Sequence, residues 1–326
     1  VPALQLGFCD SSESVRTQAS NAFQTLFKAM GMAAIEAVVP ALMMRVRVSP
    51  VDEEEEQDSA AAMVGLRGLV AARPRDMMEF IIPSALQSPM SSQKCHVLMG
   101  MAAEGGSAMQ YHCTLLVVSF VRELIALDAA VLAGDGEAVE TLESVRECTK
   151  ACMSAMTREA VNTLLQELAK QVDHEESVPN RRWGCYLLQC FVGGSDANFR
   201  DYLPLILKGL LSRIAETDKP LLEAVRDALS SLVKNVPAEP LLVHLDFVRS
   251  CMASTASDAK FRSGGSVLLN EAGELELPLF ALPKALEPFM SLYNHGLVNG
   301  HAERREACAE AMGDLFRMTS AASMKP

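Results

Sequence analysis

Tyr202-Leu203-Pro204-Leu205-Ile206-Leu207-Lys208-Gly209-Leu210-Leu211-Ser212-Arg213-Ile214 is the stretch that decides the fold. Leu203, Ile206, Leu207, Leu210, Leu211 and Ile214 recur at the three- and four-residue steps that put side chains on one face of an α-helix. Proline near the start is compatible with this, because first-turn amides have no intrahelical carbonyl to bond. A polar turn follows, and then a second amphipathic run carrying Val225-Arg226 near its start. The local unit is therefore two helices joined by a short turn.

Working outward, the same apolar–Pro–x–apolar pattern appears at Val1-Pro2-Ala3-Leu4, Val39-Pro40-Ala41-Leu42, Ile82-Pro83-Ser84-Ala85 and Leu282-Pro283-Lys284-Ala285. Successive prolines, with Pro204 in its place, stand 38, 43, 121 and 79 residues apart, which is one, one, three and two intervals of about 40. A fixed period of that length marks HEAT or armadillo helical repeats, so the expected fold is all-α: a HEAT-repeat α-solenoid, a right-handed superhelix of antiparallel helix pairs. A basic residue recurs near the start of the second helices, as Val15-Arg16, Val145-Arg146 and Val225-Arg226, with Arg181-Arg182 and Arg304-Arg305 in similar places. In the first repeat Asp10, Ser11 and Ser12 sit where a turn should cap the next helix, and Gly31 is placed to stop it.

Fifteen helices are expected. First members of the pairs lie near 1–8, 32–47, 77–87, 107–127, 157–171, 199–214, 239–253 and 281–297. Second members lie near 12–30, 57–73, 91–104, 135–154, 177–193, 218–235 and 301–319. The seventh unit lacks a clear second helix, because Ser, Gly and Pro break the period over 254–280, which reads as an irregular insertion. Residues 1–326 thus form one array of about eight units, and the ends read as an excerpt of a longer solenoid.

Composition agrees. Of 326 residues, 84 are Ala or Leu and only 17 are Phe, Trp or Tyr, which argues against an all-β fold. The apolar fraction of 49% calls for a packed core rather than disorder. With 29 Lys and Arg against 41 Asp and Glu, the net charge is −12, so direct nucleic-acid binding is not expected. No apolar run is long enough to cross a bilayer, so no membrane is expected. Nine scattered cysteines without framework spacing read as reduced, mostly buried thiols of a cytoplasmic protein.

Motifs for chemistry are lacking. There is no His-Glu-x-x-His, Gly-x-Ser-x-Gly or Walker sequence, and Gly134-Asp135-Gly136 reads as a helix–helix turn rather than a phosphate loop. Cys148 and Cys152 share a helix face and Cys185 and Cys190 another, but no Cys-x-x-Cys exists and the histidines are dispersed, so no metal site is expected. Neither an enzyme nor a cofactor is expected. The acidic run Asp52 to Asp58 could meet a metal or a basic partner, or it is a solvated loop whose charges favour the start of the following helix. Arg181-Arg182-Trp183 has the residue types of a binding hot spot, or Trp183 packs between repeats while the arginines cap neighbouring helices. Arg304-Arg305, framed by Glu303 and Glu306, carries the same two readings.

The chain resembles the giant HEAT-repeat family of general control non-derepressible translational activators. The resemblance is carried by Leu277 to Lys284, the helix Leu286 to Leu297, Gly300-His301-Ala302-Glu303-Arg304-Arg305-Glu306-Ala307, and the close at Arg317 to Ser320. The opening Val1-Pro2-Ala3-Leu4 with Cys9-Asp10 and Val15-Arg16, and Phe199 to Leu211, look like preceding repeats, and the match is weakest over 88–175. It implies a non-enzymatic scaffold whose parent rides on ribosomes. That parent docks the RWD domain of the starvation-responsive kinase, which phosphorylates initiation factor two alpha. The family's docking arginine, in a Glu-Arg-Glu-Glu-like stretch, matches Arg305. Here the stretch has one acid fewer and a doubled arginine, so the register is open by one. The alternative is a HEAT scaffold of another kind, a transport receptor or phosphatase regulatory subunit.

Overall fold

A computed structural model of the protein describes residues 2–214, 216, 218–262 and 282–317. Among these residues the chain is helical throughout, with sixteen α-helices and three short 3-10 segments and no strand. It divides into two compact units, Val1–Leu164 and Leu165–Pro326.

In the first unit the helices are α1 (Pro2–Phe8), α2 (Glu13–Met30), α3 (Met32–Arg45), α4 (Glu53–Ala72), α5 (Pro74–Ala85), α6 (Ser92–Gly105), α7 (Cys113–Leu132) and α8 (Gly136–Ser154). Consecutive helices pack as the pairs α1–α2, α3–α4, α5–α6 and α7–α8. The first members stack on one another, as α1 on α3 and α3 on α5, and so do the second members α2, α4, α6 and α8. The result is the two-layer arrangement expected of repeats, with Ile35, Leu42, Leu66, Leu69, Met77 and Met78 fully buried between the layers.

Local sequence explains the ends of the elements. Gly31 stops α2: at φ +59° its amide donates to the Phe27 carbonyl at 2.7 Å, in a backbone region that side chains with a Cβ rarely enter. Ser12 takes the cap position of α2 but its hydroxyl makes no cap bond; Asp10 instead accepts the Ser12 amide at 2.8 Å. The acidic run starts α4 earlier than expected. Asp52 caps the Glu55 amide at 2.8 Å, and Glu53 to Glu56 form the first turn, where the helix dipole favours negative charge. The prolines divide into two kinds. Pro2 and Pro204 lie in first turns, whereas Pro40 and Pro83 lie inside α3 and α5, each removing one intrahelical bond from a helix that faces solvent there.

The second unit contains α9 (Val161–Val172), α10 (Val178–Gly194), α11 (Leu203–Leu211), α12 (Lys219–Asn235), α13 (Ala238–Leu242), α14 (Leu245–Arg262), α15 (Leu282–Asn299) and α16 (Ala302–Arg317). The single helix expected near 239–253 is broken at Val243-His244 into α13 and α14. α14 continues to Arg262, past the start of the expected irregular segment 254–280, the remainder of which lies outside the described residues.

The pairing of the last helices differs from the expectation. α10 packs on α12 and α12 on α15, while α11 packs on α14 and α14 on α16. The second-layer place left vacant in the seventh unit is thus filled by α15, and α16 lies in the layer of the first helices. The arginine doublet at 304–305 therefore begins a first-layer helix.

Candidate functional site

Two glycines set the geometry at the start of α16. A Cβ on Gly300 would fall 2.4 Å from the Gly296 carbonyl oxygen, so only glycine fits the turn between α15 and α16. A Cβ on Gly296 would meet Cys308 Sγ at 2.4 Å and Leu242 at 3.3 Å, which lets α15 and α16 approach closely over α13. The Gly300 amide donates to the Gly296 carbonyl and the Arg305 amide to the His301 carbonyl, opening the new helix. Beneath it Tyr293 and Phe289 stack at 5.8 Å between ring centres, and both are buried. Burial pushes the Tyr293 phenol well above its ordinary range, with the Cys308 thiol adding to the effect.

This turn splits the doublet. Arg304 leans back across the unit and donates from Nη1 to Glu239 Oε2 of α13 at 2.6 Å, and only 21% of its side chain is exposed. Arg305 points to solvent, and its guanidinium has no ion pair among the described residues. Glu303 and Glu306, the second and fifth residues of α16, are exposed beside it. One helix turn further on, α16 is clamped to α14: Arg249 Nη1 donates to Glu310 at 2.7 Å and Arg249 Nε to Asp314 at 2.8 Å. Those hydrogen bonds, that to Asp314 foremost, raise the guanidinium pKa further. Arg305 is thereby presented on a helix end fixed by a glycine turn and two ion-pair contacts.

The other expected cluster is largely internal. Arg181 is 6% exposed. Its Nη1 donates to the carbonyls of His174 and Glu175 at 2.9 and 3.1 Å, and its Nη2 reaches Glu216 at 3.4 Å. Trp183 is 4% exposed and packs edge-on against Tyr186 at 5.5 Å. Arg181 and Trp183 therefore lie inside the fold, Arg181 bonded to turn carbonyls and Trp183 packed against Tyr186. Arg182, half-buried, lies over the Trp183 ring at 4.8 Å. Arg16 repeats the role of Arg181 in the first unit, donating to the carbonyls of Asp10 and Ser11 at 2.8 and 2.9 Å. Arg16 and Arg181 thus staple the turns that precede their helices, since turn carbonyls have no helical donor of their own.

The cysteines offer no reactive centre. Seven of the nine are buried, and Cys9 and Cys251 are half-buried. Burial pushes the Cys113 thiol up to about 11 and Cys185 to about 12, away from the thiolate that nucleophilic chemistry needs. Cys148, bracketed by Cys95 and Cys152, is raised by the same cause. Among the described residues no three His, Cys, Asp or Glu side chains gather as metal ligands, and no helix is long and apolar enough to cross a membrane.

The family described as "Stalled ribosome sensor GCN1-like, HEAT repeats" matches residues 77–284. Protein ILITYHIA of Arabidopsis thaliana is 28% identical over 83% of this chain and 9% of its own length. The eIF-2-alpha kinase activator GCN1 of Dictyostelium discoideum is 24% identical over the whole chain and 11% of its own length. The chain therefore spans about a tenth of the length of these curated relatives. Among solved structures, the karyopherin Kap121p bound to the SUMO protease Ulp1p is similar over 96% of this chain and 33% of that one, at 16% identity and a TM-score of 0.46.

Proposed function

This chain belongs to the family of GCN1-like HEAT repeats, and from that premise we propose that it is a non-enzymatic docking segment of a cytoplasmic, ribosome-associated translational activator. It engages the RWD domain of the amino-acid-starvation kinase and so promotes phosphorylation of initiation factor two alpha. The name of the Dictyostelium discoideum relative, a kinase activator, supports this direction, and the family description supports association with the ribosome through the longer parent protein.

The observation that carries the reading is the division of labour in the doublet. Arg304 is held by Glu239, while Arg305 stands exposed on the first turn of α16. An arginine there opposes the positive end of its own helix dipole, a small cost that a carboxylate from a partner offsets. The planar guanidinium holds such a carboxylate through two parallel hydrogen bonds, and a desolvated contact of this kind contributes ~2–5 kcal/mol on truncation. Glu303 and Glu306 beside it set the register by accepting from, or repelling, the partner's charges. Titrating an isolated RWD domain of the kinase into this chain tests the reading: saturable binding supports it, and absence of binding at concentrations that saturate the parent protein rejects it.

A further inference from the structure

Serine precedes proline at two places in the chain, Ser49-Pro50 and Ser88-Pro89, and both serines are exposed. Their surroundings differ. Ser49 lies in the connection between α3 and α4, where Val46 to Asp52 stand outside any helix. Val48 and Val51 beside it are 47% and 88% exposed. The Arg47 amide donates to the Ser59 hydroxyl at 2.8 Å, which donates in turn to the Arg47 carbonyl at 3.3 Å. The Val51 amide donates to the Glu55 carboxylate at 3.1 Å, in an exposed contact. Between these two points Val48, Ser49 and Pro50 make no hydrogen bond among the described residues. Ser88 is in a tied segment instead. The Lys94 ammonium donates to the carbonyls on either side of it, Gln87 at 2.7 Å and Pro89 at 3.1 Å. The Met90 amide donates to the buried Glu123 carboxylate at 3.3 Å.

We propose that Ser49 is a phosphorylation site, modified by a proline-directed serine kinase with magnesium-bound ATP as the phosphoryl donor. The Ser49 hydroxyl oxygen bonds to the γ-phosphorus, the bond from that phosphorus to the β–γ bridging oxygen breaks, and ADP leaves. The hydroxyl proton passes to the catalytic aspartate of the kinase. A kinase cleft holds the acceptor in extended backbone, and Pro50 favours this shape, because its ring disfavours helical backbone at the residue before it. Pro50 also brings no amide that the cleft would have to satisfy. Drawing Val48 to Val51 outward gives up one exposed hydrogen bond. Drawing Ser88 out gives up two bonds from an ammonium and leaves a buried carboxylate without its amide donor, which costs more. The phosphoserine carries about −1.5 to −2 charge at neutral pH. Two residues before it, Arg47 is exposed and has no ion pair among the described residues, so its guanidinium is placed to take the phosphate. Arg47 also lines the depression at the start of α4, with Asp52, Glu54, Glu55 and the Arg45–Asp58 pair. Pairing with phosphate cancels one of the two positive charges there, so modification makes that surface more acidic. The site lies in the first unit and is independent of the contact made by Arg305.

Treating the folded 326-residue chain with a mitogen-activated protein kinase, ATP and magnesium, and reading the product by intact mass and peptide mapping, tests the assignment. One phosphate per chain, on Ser49, is expected, and Ser49→Ala should abolish it. Two short peptides carrying the Ser49-Pro50 and Ser88-Pro89 sequences give the preference of the kinase without the fold. The ratio of the Ser49 rate to the Ser88 rate should be about tenfold or more higher in the folded chain than between the peptides, because Ser88 must first lose its bonds. Absence of phosphate from Ser49 in the folded chain overturns the proposal. So does an unchanged ratio, or modification of Ser49 only after the chain is unfolded. Phosphorus NMR across the second ionisation of the phosphoserine reads the role of Arg47. The parent chain should lose that proton at lower pH than Arg47→Ala, since a nearby cation favours the dianion, and equal values would overturn the pairing.

Discussion

Arg304 and Glu239 meet at 2.6 Å between α16 and α13, 65 residues apart in the chain, while the neighbouring arginine is left to solvent. The contact holds the entry of α16 against α13 and decides which member of the doublet is available to a partner. Glu239 is 66% exposed, so water screens the pair. Arg304→Ala should cost about 0.5–1 kcal/mol of stability. Chemical denaturation of the two proteins measures this, and a loss above about 2 kcal/mol would place Arg304 in a buried network instead.

Gly296 permits the close contact of α15 and α16. Gly296→Ala puts a methyl group into Cys308 Sγ and Leu242 and should destabilise by about 1–3 kcal/mol. Cys308→Ala in the same chain should recover a large part of that loss by removing the sulfur. A double-mutant cycle with no coupling between the two positions would contradict the packing described.

Arg181 satisfies two turn carbonyls and Glu216 while buried. Removing it leaves those acceptors without donors, so Arg181→Ala should cost roughly 2–3 kcal/mol. The unfolding free energy should fall by that amount, while RWD affinity measured at a temperature where both proteins are folded should not change. A selective loss of affinity would show that Arg181 acts in partner binding.

Cys113 and Cys185 give a pH dependence whose sign is fixed. Both thiols titrate higher in the folded chain, at about 11 and about 12, than their ordinary 9.0. The folded state therefore holds protons that the unfolded chain releases. Stability should be flat below pH 9 and fall between 9 and 11 by about 1.4 kcal/mol per pH unit for each of the two thiols. Denaturation midpoints collected across that range check the slope, and a rise in stability over it would refute the buried, neutral state of these thiols.

The helices and their pairing in the first unit were legible from spacing alone, since an apolar face at helical steps and a proline every 40 or so residues are both local signals. The shift of layers in the second unit was not. It depends on contacts such as α12 with α15 across a segment, 254–280, that has no helical period to read. Sequence left the two readings of Arg181 open for a related reason: its acceptors are main-chain carbonyls, which a sequence does not distinguish. The doublet at 304–305 could be singled out, but two adjacent arginines look alike until the Gly300 turn sends one to Glu239 and the other outward.

The central claim is that Arg305, and not Arg304, carries the contact with the kinase. Calorimetric titration of the RWD domain into the parent chain, Arg304→Ala and Arg305→Ala, each with its thermal unfolding recorded, tests it most directly. The account predicts affinity at least tenfold weaker for Arg305→Ala with unfolding unchanged, and near-normal affinity for Arg304→Ala, as expected when only a desolvated contact is truncated. Equal affinity of Arg305→Ala and the parent chain, or a loss confined to Arg304→Ala, would contradict it.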